Sequence, residues 1–493
     1  MTHAFNDFVH NLSYGDLPEP VRDFARRWLL DLIGVAAGGV QTDLSRIIRN
    51  HAARQFGAGA APALMLFDGR PVSPAGAALA GGMTIDALDG HDGHKLTKGH
   101  VGCGVLPALL ALCQAEKSEA GDDFLTALVI GYEIGTRAGI SLHRTATDYH
   151  TSGAWIAVTC AALGARILGL DAARTREAIG IAEYHGPRSQ MMRCVDAPTM
   201  IKDGSGWGAM TGVSAAYLAA DGFTGAPAIT VEATEVADLW SDLGSTWRIL
   251  EQYFKPYPVC RWAQPPLLAT LRLRDAHGIT SPQVERIEIT TFHQSLRLAT
   301  RRPKTTEEAQ YSTSFPTAVA MVRGRVDPED VASHNLSDPE ILRLSDSMVI
   351  VESEDYNAAF PANRIAHATL VLKDGRRLTS PPTEATGDPE NPVSMAQVQR
   401  KYKAYANPVL GVDRAARIEV AIAGLATSGI DTLAKSVTDP VSDPGSNHAS
   451  PPVGRAQADK ADASPRTATE NRSSGPESTM ESQNVEHPSP GSA

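Results

Sequence analysis

Asp86-Ala-Leu-Asp-Gly-His-Asp-Gly-His-Lys-Leu-Thr-Lys-Gly-His100 separates two apolar stretches, Ala75 to Thr84 and Val101 to Ala115, neither of which carries a charged residue. The flanks are long enough and apolar enough to read as buried helices. The run between them crowds three aspartates, three histidines and two lysines together, and Gly90, Gly93 and Gly99 break it up. It is therefore expected to be a loop rather than a helix. An ionisable loop held between two buried helices costs free energy unless it is solvated, paired or used. That makes it the first place to look for chemistry.

The same helical character extends on both sides. After Asp16-Leu-Pro-Glu-Pro, the residues Val21, Phe24, Ala25, Trp28, Leu29 and Leu32 recur at helical spacing and Gly38-Gly39 end the run. Asp16 is the expected cap. Leu44 to Phe56 forms a second amphipathic helix, and Pro62 to Leu66 reads as a short extended segment. Further helices are expected over Gly121 to Leu142, Gly153 to Leu168, Ala172 to Glu183 and Gly208 to Ala220. In Gly153 to Leu168, Ala154, Ala157, Ala161, Ala162 and Ala165 supply small contacts that let helices approach closely.

Near Tyr253 the pattern changes. Val284 to Phe292 alternates and is β-branched, Met348 to Glu352 is a second strand, and Ala368 to Thr379 is a hairpin turning at Asp374-Gly375. Ser314 to Arg323 and Glu329 to Ala332 read as helical, and helix returns over Ser394 to Tyr405 and Val412 to Ile422. The fold class is therefore mainly α. A large helical domain (1–255, completed by 395–430) carries a smaller α+β lid domain (256–394). From 431 on, and most plainly from Ser436, composition shifts to Ser, Pro, Gly and charged residues, so 431–493 is expected to be a disordered tail.

Whole-chain properties narrow the class. At 493 residues more than one domain is expected. The formal charge of -11 speaks against a nucleic-acid partner. No apolar run is long enough for a bilayer span, and no basic-then-apolar leader opens the chain, so a cytoplasmic protein is expected. The five cysteines, Cys103, Cys113, Cys160, Cys194 and Cys260, are odd in number and lack a CxxC pair, so they read as reduced thiols.

Four stretches carry candidate chemistry. In the first loop His91, His94 and His100 offer a His-x2-His metal spacing, but acid/base or substrate-binding use is favoured, with Asp92 beside the histidines to orient one of them. Asp148-Tyr-His150-Thr-Ser-Gly153 places His150 near a helix N-terminus, where free N–H groups favour an anion and lower a histidine's pKa. The plainer reading is N-capping by Thr151 or Ser152. Met200-Ile-Lys202-Asp-Gly sets a lysine before a glycine-rich turn that opens a helix, which suits an anion but lacks the spacing of a nucleotide loop. Tyr253-Phe-Lys255-Pro-Tyr-Pro-Val-Cys260-Arg261 places two cations at the domain boundary, a preferred position for ligands. Cys260 is more simply a buried small residue than a nucleophile. Together these are cations for carboxylates and histidines for a proton.

In order along the chain, Gly99-His100-Val-Gly-Cys-Gly-Val-Leu-Pro107, His150-Thr-Ser-Gly153, Met200-Ile-Lys202-Asp-Gly204 and Lys255-Pro-Tyr-Pro-Val-Cys260 resemble the MmgE/PrpD family. So do Glu307-Glu-Ala-Gln-Tyr311-Ser312, Lys373-Asp-Gly375, Gly387-Asp-Pro-Glu-Asn-Pro392 and Lys401-Tyr402. The resemblance spans about residues 5 to 425. It implies a helical domain with an α+β lid, usually a homodimer, and a pocket between the two that needs no metal or other cofactor.

By resemblance, Asp92, His94 and His100 belong to the first active-site loop, and His150 to the acid/base set. Lys202 and Lys255 match two substrate-facing lysines, and Tyr311 and Ser312 lie in the lid segment; Arg261, at the domain boundary, is a further cation for a carboxylate. The catalytic set expected is His150, His100, Asp92 and Lys202. His94, Lys255, Arg261, Tyr311 and Ser312 are expected to bind substrate. The chain departs from the family's usual adjacent aspartates: His91 stands beside Asp92, and only Asp92 fills the acidic pair. The activity implied is a lyase on a di- or tricarboxylate, either dehydration of a 2-methylcitrate-like hydroxy acid or decarboxylation of a cis-aconitate-like acid. The alternatives are an epimerase working at Cα of an imino- or amino-dicarboxylate, and a non-catalytic carboxylate binder.

Overall fold

The computed structural model describes residues 1–441, which belong to one compact unit. The apolar periodicities become helices within a residue or three of where the sequence places them. They are labelled α1 (Glu19–Gly39), α2 (Pro74–Asp86), α3 (Gly102–Ala115), α4 (Gly121–Thr145), α5 (Gly153–Ile167) and α6 (Ser205–Ala220). Asp16 does not cap α1. It takes the Ser13 hydroxyl at 2.6 Å in a short turn of its own, and Pro18 precedes the helix.

Three of these helices cross at glycines, and the crossing builds the floor of the site. A Cβ on Gly82 of α2 would stand 2.6 Å from the Gly206 Cα, and one on Gly208 of α6 would stand 2.3 Å from the Gly153 carbonyl oxygen. Any side chain there would push α2, α5 and α6 apart. Their close approach brings Asp86, Ser152 and Asp203 together in sequence-distant contact.

The loop between α2 and α3 is irregular, as its glycines require, apart from a two-residue strand β1 (Gly93–His94) that pairs antiparallel with β2 (Gln252–Tyr253). The lid portion is a twisted mixed sheet. β3 (Val284–Thr291) lies between parallel β4 (Val349–Glu352) and antiparallel β5 (Ile365–Leu372), and β5 continues into β6 (Arg377–Thr379) through the Asp374-Gly375 turn. Alternate residues of β3 are buried, which is the period-two pattern of its sequence.

The chain then returns to the helical part through α7 (Met395–Leu410). There Tyr402 packs on Gly34, and Lys401 donates to Asp31 at 2.7 Å and to the Gly90 carbonyl at 2.6 Å. A helix from the far end of the chain thus holds the backbone of the α2–α3 loop.

The expected tail begins too early. Asp431–Thr438 is a helix with Leu433 and Val437 buried, and the Val437 carbonyl accepts from Phe67 N at 2.8 Å. Ile430, Leu433 and Val437 are spaced to line one helix face, and that signal was masked by the polar residues around them. The rest of the expected tail lies outside the described residues. Among the described residues no helix is long and apolar enough to cross a membrane, and all five cysteines are buried free thiols.

Candidate active site

A narrow cavity opens between the α2–α3 loop and the lid residues. Asp89, Lys98, His100, Tyr149, Tyr253, Lys255, Arg261, Tyr311 and Arg364 line it, with Cys260 and Trp262. About 20 Å³ of free space remains among them, room for roughly one water molecule. A citrate-sized acid is larger than this space.

His100 is the most firmly positioned group. Its backbone N–H donates to Ser152 Oγ at 2.9 Å, its carbonyl accepts from Trp155 Nε1 at 2.7 Å, and its Nδ1 lies 2.5 Å from the Asp92 carbonyl oxygen. A carbonyl oxygen can only accept, so Nδ1 carries the proton and Nε2 presents a lone pair. Nε2 lies 3.5 Å from Asp203 and 3.9 Å from Asp89. Burial, then the nearby Lys255 and His91, holds the imidazole well below its ordinary pKa. His100 is thus a neutral base at neutral pH.

Asp203 lies opposite. Burial and the neighbouring Asp86 carboxylate push its pKa up to about 7. Ser152 Oγ donates to it at 2.9 Å. His100 Nε2 therefore faces, at 3.5 Å, a carboxyl whose pKa is raised to about 7, an arrangement of acceptor and acid across which a proton can pass.

Asp89, not Asp92, is the carboxylate in the cavity. Burial alone would raise its pKa, but Lys255 and Lys202 override burial and hold it well below the usual carboxylate range. Lys255, itself buried, ion-pairs with it. Burial disfavours the ammonium, yet Asp89 keeps it charged and its pKa above the ordinary value. Asp92 faces away: Tyr132 donates to its Oδ2 at 2.5 Å, burial raises its pKa, and only its backbone carbonyl orients His100. The expectation that the Asp92 carboxylate does this is corrected. Asp89 precedes the Gly90 turn and Asp92 follows it, and spacing alone does not say which one turns inward.

Lys202 sits just behind the lining. It adopts a left-handed backbone (φ 48°), donates to Gln310 Oε1 at 2.7 Å and lies 4.9 Å from the Tyr311 ring centre. The helix N-terminus that follows it is not open for an anion, because the Asp86 carboxylate accepts from Asp203 N at 3.2 Å and Ser205 N at 3.4 Å. Gln310 ties the lid to this centre: its Oε1 also takes Asp89 N at 2.8 Å, and its Nε2 donates to the Ala87 carbonyl at 3.0 Å.

Other expected residues lie differently. His150 is buried next to the cavity wall, stacked on His143 with ring centres 6.3 Å apart. Neither of its ring nitrogens has a hydrogen-bond partner among the described residues. Burial and then Arg188 lower its pKa. Ser152 does not cap α5 with its side chain, having bonded Asp203 instead. His94 is turned to Glu251 at 3.0 Å and does not line the cavity.

The Ser312 hydroxyl accepts from Phe315 N at 3.0 Å and donates within the lid, so it shapes a turn. Arg261 lines the cavity, but its guanidinium is committed to Asp388 at 2.6 Å and to three carbonyls. Burial pushes the Cys260 thiol up to about 12, which removes it as a neutral-pH nucleophile. Tyr149 and Tyr253 stood inside quoted motifs without a role, and Asp89, Asp203 and Arg364 went unassigned.

The metal question changes its residues. Asp89, His91 and His100, not His94, bring a carboxylate oxygen and two ring nitrogens within 4.8 Å of one another. The Lys255 ammonium already sits on the Asp89 carboxylate, so a dication there would have to displace a cation.

A two-part chain with a buried lysine, histidine and aspartate cavity between a helical body and an α+β lid defines a class of small-molecule site rather than a scaffold. The chain belongs to the MmgE/PrpD family. The MmgE/PrpD N-terminal domain matches residues 3–244 and the MmgE/PrpD C-terminal domain residues 257–427. It is 23% identical over 483 residues to the cis-aconitate decarboxylase-like protein oryM of Aspergillus oryzae, covering 87% of this chain and 95% of that protein. Cis-aconitate decarboxylase of Aspergillus terreus is 23% identical over 487 residues (90% and 97%). The Homo sapiens cis-aconitate decarboxylase is 23% identical over 449 residues (84% and 89%).

Proposed function

We propose that this chain is a carboxy-lyase acting on a cis-aconitate-like tricarboxylate. The observation that carries the reading is the neutral His100 Nε2, 3.5 Å from the Asp203 carboxyl, in a cavity whose Lys255 is held charged by Asp89. Lys255, kept charged by Asp89, stabilises the negative charge that builds up as CO₂ departs, and Lys202 behind the lining adds to the positive field at Asp89. In such a step the bond to the departing carboxylate breaks, its electron pair becomes a new C=C bond, and the former alkene carbon takes one proton. The Asp203–His100 pair supplies that proton, passed through Nε2 to the carbon. Closing the cavity keeps water from these groups and strengthens their fields.

Dehydration of a 2-methylcitrate-like hydroxy acid is the second reading. The open lone pair of His100 favours it, because the base would take a Cα proton before hydroxide leaves. Decarboxylation stands first because the relatives named above are decarboxylases or decarboxylase-like. His150 and Lys202 keep supporting places, His150 beside the wall and Lys202 holding Gln310 and the charge balance of Asp89. We also propose a homodimer, with Trp207 and Leu218, exposed on one face of α6, at the contact; sedimentation of the pure protein tests it. The activity is tested by incubating the protein with cis-aconitate and with 2-methylcitrate. CO₂ with a new olefin from the first supports the first reading, and water loss from the second supports the alternative.

A further inference from the structure

Four cations line the cavity: Lys98, Lys255, Arg261 and Arg364. Two of them already have a carboxylate partner in the chain, Lys255 in Asp89 and Arg261 in Asp388. Arg364, on the turn just before β5, is different. It is 5% exposed, yet its Nε and Nη1 have no hydrogen-bond partner among the described residues. Its Nη2 reaches only the Lys95 carbonyl, at a long 3.5 Å, and the guanidinium lies 5.3 Å from the Tyr253 ring centre. A guanidinium cannot escape by losing its proton, so buried donors left unpaired carry the full desolvation cost.

Among the described residues Arg364 makes no ion pair, and the acids on the surrounding elements are engaged with other cations. Asp89 holds Lys255, Asp388 holds Arg261 and Lys95, and Glu251 holds His94 and Arg248. Lys98 shares the wall. Its ammonium sits 4.6 Å from the Tyr149 ring centre with no acidic partner among the described residues, on a backbone held at φ 51°. Such a conformation is costly for a lysine and persists where its surroundings impose it.

We infer that Arg364 and Lys98 form a second carboxylate subsite, which holds the far carboxylate of the substrate while the reacting end lies at His100 and Lys255. This rests on the carboxylate-lyase reading of the cavity. A planar guanidinium matches a carboxylate in geometry as well as charge. The ligand class is therefore an acid with carboxylates at both ends of a short carbon chain, and a monocarboxylate would leave Arg364 unpaired.

The test is calorimetric binding of two unreactive acids to the full chain: glutarate, and butyrate, which is the same chain short of one terminal carbon and its carboxylate function. Wild type is expected to prefer glutarate by about 10- to 100-fold. Arg364→Met is expected to erase that preference while leaving butyrate affinity in place, and Arg364→Lys to restore part of it. A preference that survives Arg364→Met, or wild type binding neither acid, overturns the subsite. If Arg364→Met does not fold, Lys98→Met at its partly exposed position reads the same preference, and an unchanged preference there overturns the proposal. The two readings fail separately. Turnover of cis-aconitate with a preference indifferent to Arg364 removes the subsite and leaves the lyase. A preference that depends on Arg364 without turnover of any candidate acid removes the lyase and leaves the subsite.

Discussion

Asp89→Asn keeps the shape of the loop and removes the one charge that balances Lys255. In the folded chain Lys255 is 0% and Asp89 3% exposed. After the substitution the ammonium is left with the Asp89 main-chain carbonyl at 3.4 Å and a neutral amide. Breaking a buried ion pair by removing one partner costs about 3–5 kcal/mol, and one hydrogen bond to the new amide oxygen returns about 1 kcal/mol. A net loss of about 2–4 kcal/mol is expected. Equilibrium urea unfolding at pH 7, followed by tryptophan fluorescence, measures it.

The sign with pH follows from Asp89 being held below its ordinary value of 3.8 in the folded chain. Its contribution is full above about pH 4 and is lost as pH falls through the folded value. The gap between wild type and Asp89→Asn is therefore constant near neutrality and closes in acid. Asp89→Asn/Lys255→Met removes both charges and is expected to recover most of the loss. Turnover is expected to fall about 100-fold in both, since Lys255 is no longer held in place in the single variant and is absent from the double. A single variant as stable as wild type at pH 7, or a double variant no better than the single, would refute the assignment of this pair as the charge balance of the site.

Asp203, at about 7, acts as an acid, so kcat/KM is expected to decline as pH rises above about 7, and Asp203→Asn to lose turnover together with that limb of the profile. Because its folded value lies above the ordinary 3.8, keeping it ionised costs stability above pH 7. Asp203→Asn is therefore expected to unfold at higher urea than wild type at pH 8, and a lower midpoint would contradict its burial among like charges. Leu433→Ala is expected to cost about 2–4 kcal/mol in the same unfolding assay, since Leu433 is buried in the Asp431–Thr438 helix; no change would detach that helix from the folded body. Dialysis against a chelator is expected to leave turnover intact, because Lys255 holds the cationic place beside Asp89. Loss of turnover restored by one divalent metal would instead assign Asp89, His91 and His100 as ligands.

Much of this architecture is written in local pattern. Residues such as Val21, Ala25, Trp28, Leu29 and Leu32 lie on a face that must be buried, and the alternation in Val284 to Thr291 leaves one side of a strand inside. The loop of the candidate site was legible for the same reason, because charges between two uncharged helices have to be accounted for. Its interior was not. Asp86, Asp89 and Asp92 are three residues apart, and only the turn at Gly90 and the pairing of Gly93 with Tyr253 decide which carboxylate meets Lys255.

Arg364 carries no motif. Its role comes from what surrounds it in space, namely Tyr253, Lys98 and acids already engaged elsewhere. Asp203 lies beside Lys202 in the chain, but its raised pKa arises from burial and then from Asp86, more than a hundred residues earlier. In the helix at 431–438 the polar composition hides the one-face spacing of Ile430, Leu433 and Val437.

The central claim is tested most directly by following cis-aconitate with the purified chain in D₂O by proton NMR, with CO₂ trapped in parallel and His100→Gln as the comparison. The account predicts one CO₂ per new olefin, one deuterium on the former alkene carbon, and a fall of about 10²–10⁴ in rate for His100→Gln. Exchange of a Cα proton with no CO₂ and no new olefin, or a His100→Gln variant as fast as wild type, would contradict it.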